Sequence, residues 1–107
     1  MNYLTFEEAV DIVNEGGVIK RPIYAKDKSR IVWIAEWHLP GCLSESFTVC
    51  TTKVDAIDCA LSFAENENGP PYGMKTALIK RGYFDHKTDM YGYVITTVEK
   101  RRLADIL

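Results

Sequence analysis

Apolar residues recur at helical spacing near the start of the chain. In LTFEEAVDIVNEGG, Phe6, Ala9, Val10 and Val13 fall on one face and Glu7, Glu8 and Asp11 on another. Thr5 with Glu8 three positions later has the arrangement of a capping box, the acids favour the positive end of the helix dipole, and Gly16-Gly17 ends the run. VIKRPIY then reads as a short edge strand, because Pro22 has no amide to give to a ladder. AKDKS reads as a polar turn. RIVWIAEWHL alternates strictly, with Ile31, Trp33, Ala35 and Trp37 on one side and Val32, Ile34, Glu36 and His38 on the other. The two tryptophans mark the expected core wall. PGCLSE turns the chain and SFTVCTT supplies the next strand.

Beyond it the period lengthens again. Thr52 with Asp55 predicts a helix cap, and Val54, Ile57, Leu61 and Ala64 a buried stripe. ENENGPPYG breaks the pattern, MKTALIKRG is a two-turn helix closed by Gly82, and DHKTD is a turn. MYGYVITT is the last expected strand; Thr96 with Glu99 repeats the capping spacing into a helix over VEKRRLADIL. The predicted order is α-β-β-β-α-α-β with a short C-terminal helix. Tight turns between strands imply an antiparallel sheet of about four strands with helices gathered on one face, an α+β fold.

A chain of 107 residues is one domain, residues 1–107, with enough length to bury one modest core. The net charge of −2 offers no global attraction to nucleic acid or to an acidic membrane. Its distribution changes that picture locally. Glu7, Glu8, Asp11 and Glu15 precede a basic block of Lys20, Arg21, Lys26, Lys28 and Arg30 that holds one acid, Asp27. Such blocks commonly pair within a fold. Three cysteines, Cys42, Cys50 and Cys59, lack paired spacing, which points to reduced thiols and a cytoplasmic setting. The start has no signal-peptide pattern and no stretch approaches a membrane span.

Catalytic signatures are missing: there is no nucleophile elbow, phosphate-cradling glycine loop or zinc-protease helix. His38 and His86 are the only histidines, and a Cys42 thiolate would need His38 against it. His38, Cys42, Cys50 and His86 lack the tight paired spacing of structural zinc, so no metal, cofactor or catalytic residue is expected. Two binding surfaces are expected instead. The first is IKRGYFDHKTDMYGYVITT, where Tyr91 and Tyr93 lie two apart beside Ile95, with Lys80, Arg81 and Lys87 near the strand's start. These rings suit packing in a sheet first, then a stacked nucleotide or nucleic acid, or a protein interface rich in tyrosine and arginine. The second is a basic hairpin from Lys20 to Arg30, read first as a solvated tip and otherwise as a grip on phosphate or an acidic partner.

The segment TFEEAVDIVNEGGVIKRPIY carries Phe6, Ala9, Gly16, Ile19, Arg21 and an aromatic at Tyr24. In this it resembles the phage-encoded family that includes a Thoeris anti-defence protein, which sequesters a cyclic ADP-ribose-type signal. Tyr24 stands where that family usually has tryptophan, and AKDKS replaces its glycine- and asparagine-rich turn. The resemblance implies a small phage-type protein without catalysis, with a homo-oligomer as one option, that interferes with a host system, and it marks Arg21 and Tyr24 as candidate ligand contacts. The expected function is binding and neutralising a host protein in the host cytoplasm. The alternatives are an oligomeric sponge for a nucleotide signal, with Arg21, Tyr24, Tyr91 and Tyr93 around it, and a nucleic-acid-binding module using Lys26, Lys28 and Arg30.

Overall fold

The structure, a computed structural model, describes residues 2–39, 44–64, 69–88 and 92–107, with the side chains of 44–46 and 88 left undescribed. Helix α1 (Phe6–Asn14) forms as its pattern predicts: Thr5 Oγ1 accepts from the Glu8 amide at 3.2 Å and the Glu8 carboxylate accepts from the Thr5 amide at 3.2 Å. The chain then departs from expectation. VIKRPIY is no strand; it contributes a single parallel bridge, Leu4 to Ile23, with the Leu4 amide bonded to the Pro22 carbonyl. Pro22 has no amide to donate to a ladder. AKDKS is a one-turn helix, α2 (Ala25–Lys28), so the basic block is not a hairpin.

Strands β1 (Ile31–His38) and β2 (Ser44–Cys50) follow, then α3 (Lys53–Phe63) and α4 (Met74–Lys80). Thr52 Oγ1 accepts from the Asp55 amide and caps α3. The buried stripe of α3 is Ala56, Ile57 and Ala60, whereas Val54 is 67% exposed. Gly82 closes α4 at φ 81°, and its carbonyl accepts from the Val98 amide at 2.8 Å. The polar stretch expected to turn is instead strand β3 (Tyr83–Thr88), and β4 runs on from Gly92 to Arg102 before a 3₁₀ turn, Leu103–Ile106. Thr96 is therefore no helix cap. It is fully buried inside β4, paired with both Phe84 and Trp37.

The sheet is antiparallel throughout, in the order β2-β1-β4-β3, and the α+β class holds. The helices, however, lie on both faces. One core joins Phe6, Ala9 and Val10 of α1 to Val32 and Val49 of the sheet, with Leu4, Ile23 and Leu103. A second joins Ala56, Ile57 and Ala60 of α3 and Met74 and Leu78 of α4 to Ala35 and Val98. Val32 and Ala35 point to opposite sides because strand residues alternate. Trp33 is only half-buried, with the Lys53 ammonium 5.5 Å from its ring, so aliphatic residues rather than the tryptophans build the core walls. Each large apolar side chain taken out of water here contributes roughly 1.5–3 kcal/mol.

Asn14, the last residue of α1, fastens that helix to the sheet. Its Nδ2 donates to the Val49 carbonyl at 2.8 Å and its Oδ1 accepts from the Val49 amide at 2.7 Å. Strand β2 is an edge, so Val49 has no strand on its outer side and the carboxamide stands in for one. Replacing Asn14 with alanine removes both bonds and is expected to lower stability by about 1–3 kcal/mol, with Asn14→Asp, which keeps only the acceptor, close behind. Urea unfolding monitored by far-ultraviolet circular dichroism measures this; an unchanged midpoint would show that water serves Val49 equally well.

Candidate functional site

Strand parity determines which side chains stand beyond the reach of α1. On its face of the sheet, Val32 and Val49 are covered. The same face continues through Glu36 and His38 of β1, Phe47 of β2, Tyr93, Ile95 and Thr97 of β4, and Tyr83, Asp85 and Lys87 of β3. No described helix packs its buried residues over this half. Phe47 is 43% exposed, Tyr83 46% and Tyr93 60%, so three aromatic rings present themselves to solvent from one surface.

Within it, Tyr83, Asp85, Tyr93 and Ile95 line a recess of about 400 Å³. The register explains the shape. Asp85 and Ile95 sit directly opposite each other, Tyr83 stands two residues before Asp85 on β3, and Tyr93 two residues before Ile95 on the antiparallel β4. The rings therefore rise from opposite ends of a shared floor, each displaced about 7 Å along its strand. At the start of β3, the Arg81 guanidinium lies 4.7 Å from the centre of the Tyr83 ring. Arg81 also borders a second recess of about 450 Å³ beside α4, with Tyr72, Thr76 and Lys80. Tyr72 is fully exposed there.

Of the residues expected to bind, Tyr93 and Arg81 belong to this region, and Tyr91 lies outside the described residues. Tyr83 and Asp85 were hidden from sequence reading because DHKTD resembles a turn. The signal that could have found them is alternation: Phe84 and His86 face the second core while Tyr83, Asp85 and Lys87 face away.

The basic block is elsewhere, and its two arginines are engaged. Arg21 pairs with Glu8 at 3.1 Å; Arg30 lies 3.9 Å from Glu7 and from Asp27 and stacks 3.9 Å above the Phe6 ring. Tyr24 stacks on Tyr3 with ring centres 4.5 Å apart, under the Lys26 ammonium at 5.6 Å. Lys28, on α2, is exposed. The Arg30 carbonyl accepts from the Leu103 amide, at the far end of β4 from Tyr93. Arg102 lies nine residues along β4 from Tyr93, roughly 30 Å. One chain thus does not bring Arg21 and Tyr24 to Tyr93, and a nucleotide held by all three has no single pocket in a monomer.

His38 and His86 do not meet, because His38 opposes Ile95 and His86 opposes Val94, on opposite faces of the sheet. Burial holds the His86 imidazole below its ordinary range, against a smaller opposing pull from Asp85. Cys42 lies outside the described residues, and among the described residues no group of three or more His, Cys, Asp or Glu side chains could hold a metal ion. None of the described helices is long and apolar enough to cross a membrane. Comparison with family models, with curated proteins and with solved structures finds no match to this chain.

Cys50 and Cys59 pack against the second core. Desolvation, reinforced by Cys59 and Asp55, pushes the Cys50 thiol from 9.0 to about 11. A folded value above the unfolded one means that the native state holds this proton more tightly. The associated stability is complete below pH 9.0 and is lost as pH rises towards 11. Urea midpoints followed from pH 8 to pH 11 are expected to fall less steeply in Cys50→Ala than in the parent, and folded Cys50 to alkylate far more slowly than the unfolded thiol. A parallel pH dependence in the two proteins would refute the assignment.

Proposed function

We propose that this protein acts by binding, with the uncovered half of the sheet as its contact surface and another protein as its partner. The observation that carries the reading is the exposure of Phe47, Tyr83 and Tyr93 on one face with Ile95 between the tyrosines. Exposed apolar surface costs solubility unless something covers it, and aromatic rings supply a disproportionate share of interface energy. Glu36 and Asp85 stand on that face, which works against a phosphate backbone there. The engagement of Arg21 and Arg30 by acids of α1 and α2 likewise weakens the case for a phosphate grip at the other end. With the resemblance of residues 5–24 to the Thoeris anti-defence family, the partner proposed is a host protein, such as a defence-system component, met in the host cytoplasm and neutralised by occupation.

Affinity capture from bacterial lysate, read by mass spectrometry, tests this against a Tyr83→Ser/Tyr93→Ser double variant shown to be folded. A protein retained by the parent and depleted at least about tenfold by the variant is expected, a loss of about 1.4 kcal/mol or more. Capture indifferent to both rings would reject the surface.

A nucleotide ligand has one observation in its favour, the recess beside α4, where exposed Tyr72 offers a stacking face and Lys80 and Arg81 offer phosphate contacts. A cyclic nucleotide at 100 times its dissociation constant would raise stability by about 2.7 kcal/mol. Thermal-shift screening reads this directly, and Lys80→Ala with Arg81→Ala should abolish the shift; no shift with any nucleotide removes this reading.

A further inference from the structure

The recess between Tyr83 and Tyr93 has a definite chemistry, and its assignment to a ligand class rests on the reading of this face as a protein contact surface. Asp85 and Ile95 form its floor and the two tyrosines its end walls. Asp85 is exposed and makes no hydrogen bond or ion pair among the described residues. Lys87, two residues along the same face and directly opposite Tyr93, is also exposed and makes no ion pair with Asp85. Aromatic faces carry negative potential, so both walls and the carboxylate attract the same sign of charge. Ile95 adds an apolar strip on which a hydrocarbon stem can lie.

The protein already shows how one of these rings is used. The Arg81 guanidinium rests 4.7 Å from the Tyr83 ring centre, yet Arg81 is not among the residues lining this recess; it borders the one beside α4. Among the described residues, those that line the recess include no cation, and the nearest on its face, Lys87, stands opposite Tyr93 without pairing to Asp85. We propose that it receives an arginine side chain from the partner protein. The guanidinium plane stacks against tyrosine, two of its N–H groups donate to the Asp85 carboxylate, and its methylenes cover Ile95. A lysine ammonium supplies the charge but neither the plane nor the paired donors, and it sheds water less readily. A phosphate would be repelled by Asp85, and a neutral base would leave that carboxylate without its counter-charge.

Fluorescence anisotropy with the full chain and labelled Gly-Ser peptides carrying one central arginine, lysine or citrulline provides the test. Saturable binding of the arginine peptide is expected, with lysine and the uncharged, isosteric citrulline about tenfold weaker. Asp85→Asn, which preserves shape at an exposed position, should cost the arginine peptide about tenfold, and Tyr93→Leu about fivefold. Lys75→Ala, at an exposed position of α4, should change nothing, and circular dichroism confirms that each variant is folded. Absence of saturable arginine binding, equal binding of citrulline, or indifference to Asp85→Asn would each overturn the proposal. Tighter binding of oligothymidylate by Asp85→Asn than of the arginine peptide by the parent would assign the recess to nucleic acid instead. Partner capture that needs Tyr83 and Tyr93 but ignores Asp85→Asn would sink the arginine assignment and leave the contact surface standing. Capture indifferent to the tyrosines would sink both.

Discussion

Two hydrogen bonds from one carboxamide determine where the first helix of this protein lies. Asn14 satisfies the outward amide and carbonyl of Val49, and in doing so draws the end of α1 against the edge strand β2. Phe6, Ala9 and Val10 then close over Val32 and Val49, joined by Leu4, Ile23 and Leu103 from the segments around the helix. A nine-residue helix is about 14 Å long, shorter than the sheet it lies on. Anchored at that end, it cannot also cover β3 and the Gly92 end of β4. The uncovered half of the face is therefore a consequence of how α1 is held.

On the other face the aliphatic residues at the middle of the sheet are covered. Ala35 and Val98 are buried beneath Ala56, Ile57, Ala60, Met74 and Leu78, and small residues on α3 let it approach the sheet closely. Gly82 then hands the chain from α4 into β3 in a left-handed conformation that an added Cβ would oppose, since it would meet the Val98 carbonyl at 3.0 Å. This join sets the register that puts Asp85 opposite Ile95 and the tyrosines at either end of them. Packing on one face thus positions the chemistry of the other.

Charge follows the same division. The acids of α1 face the basic block that comes after it, and Glu8 with Arg21 and Glu7 with Arg30 turn two opposed charge clusters into local pairs. Such exposed pairs are screened by solvent and contribute little to stability, but they compete with any external anion for the same cations. Asp85 has no comparable partner among the described residues. The arginines of the more evident basic motif are thus already engaged, and an ordinary-looking aspartate within a tyrosine-rich strand pair becomes the distinctive charge.

Local signals were legible where the physics is local. The capping box of Thr5 and Glu8, the Thr52 cap, the glycine stop at Gly82 and the strict alternation from Ile31 to His38 each depend on residues within a few positions, and the fold honours all of them. Misreadings arose where one pattern serves two structures. Asp85-His86-Lys87 is polar enough for a turn, yet it alternates across an edge strand; Thr96 and Glu99 have capping spacing, yet β1 and β3 flank that stretch and keep it extended. From the sequence alone came the α+β class, the caps and stops of α1, α3 and α4, and the central strand β1, because propensity, capping and periodicity act over short distances. Tertiary structure alone decided that helices occupy both faces, that Asn14 closes an edge, and that Tyr83, Asp85 and Tyr93 share a recess. Those outcomes depend on strand register and on where a short helix comes to rest, which no window of neighbouring residues encodes.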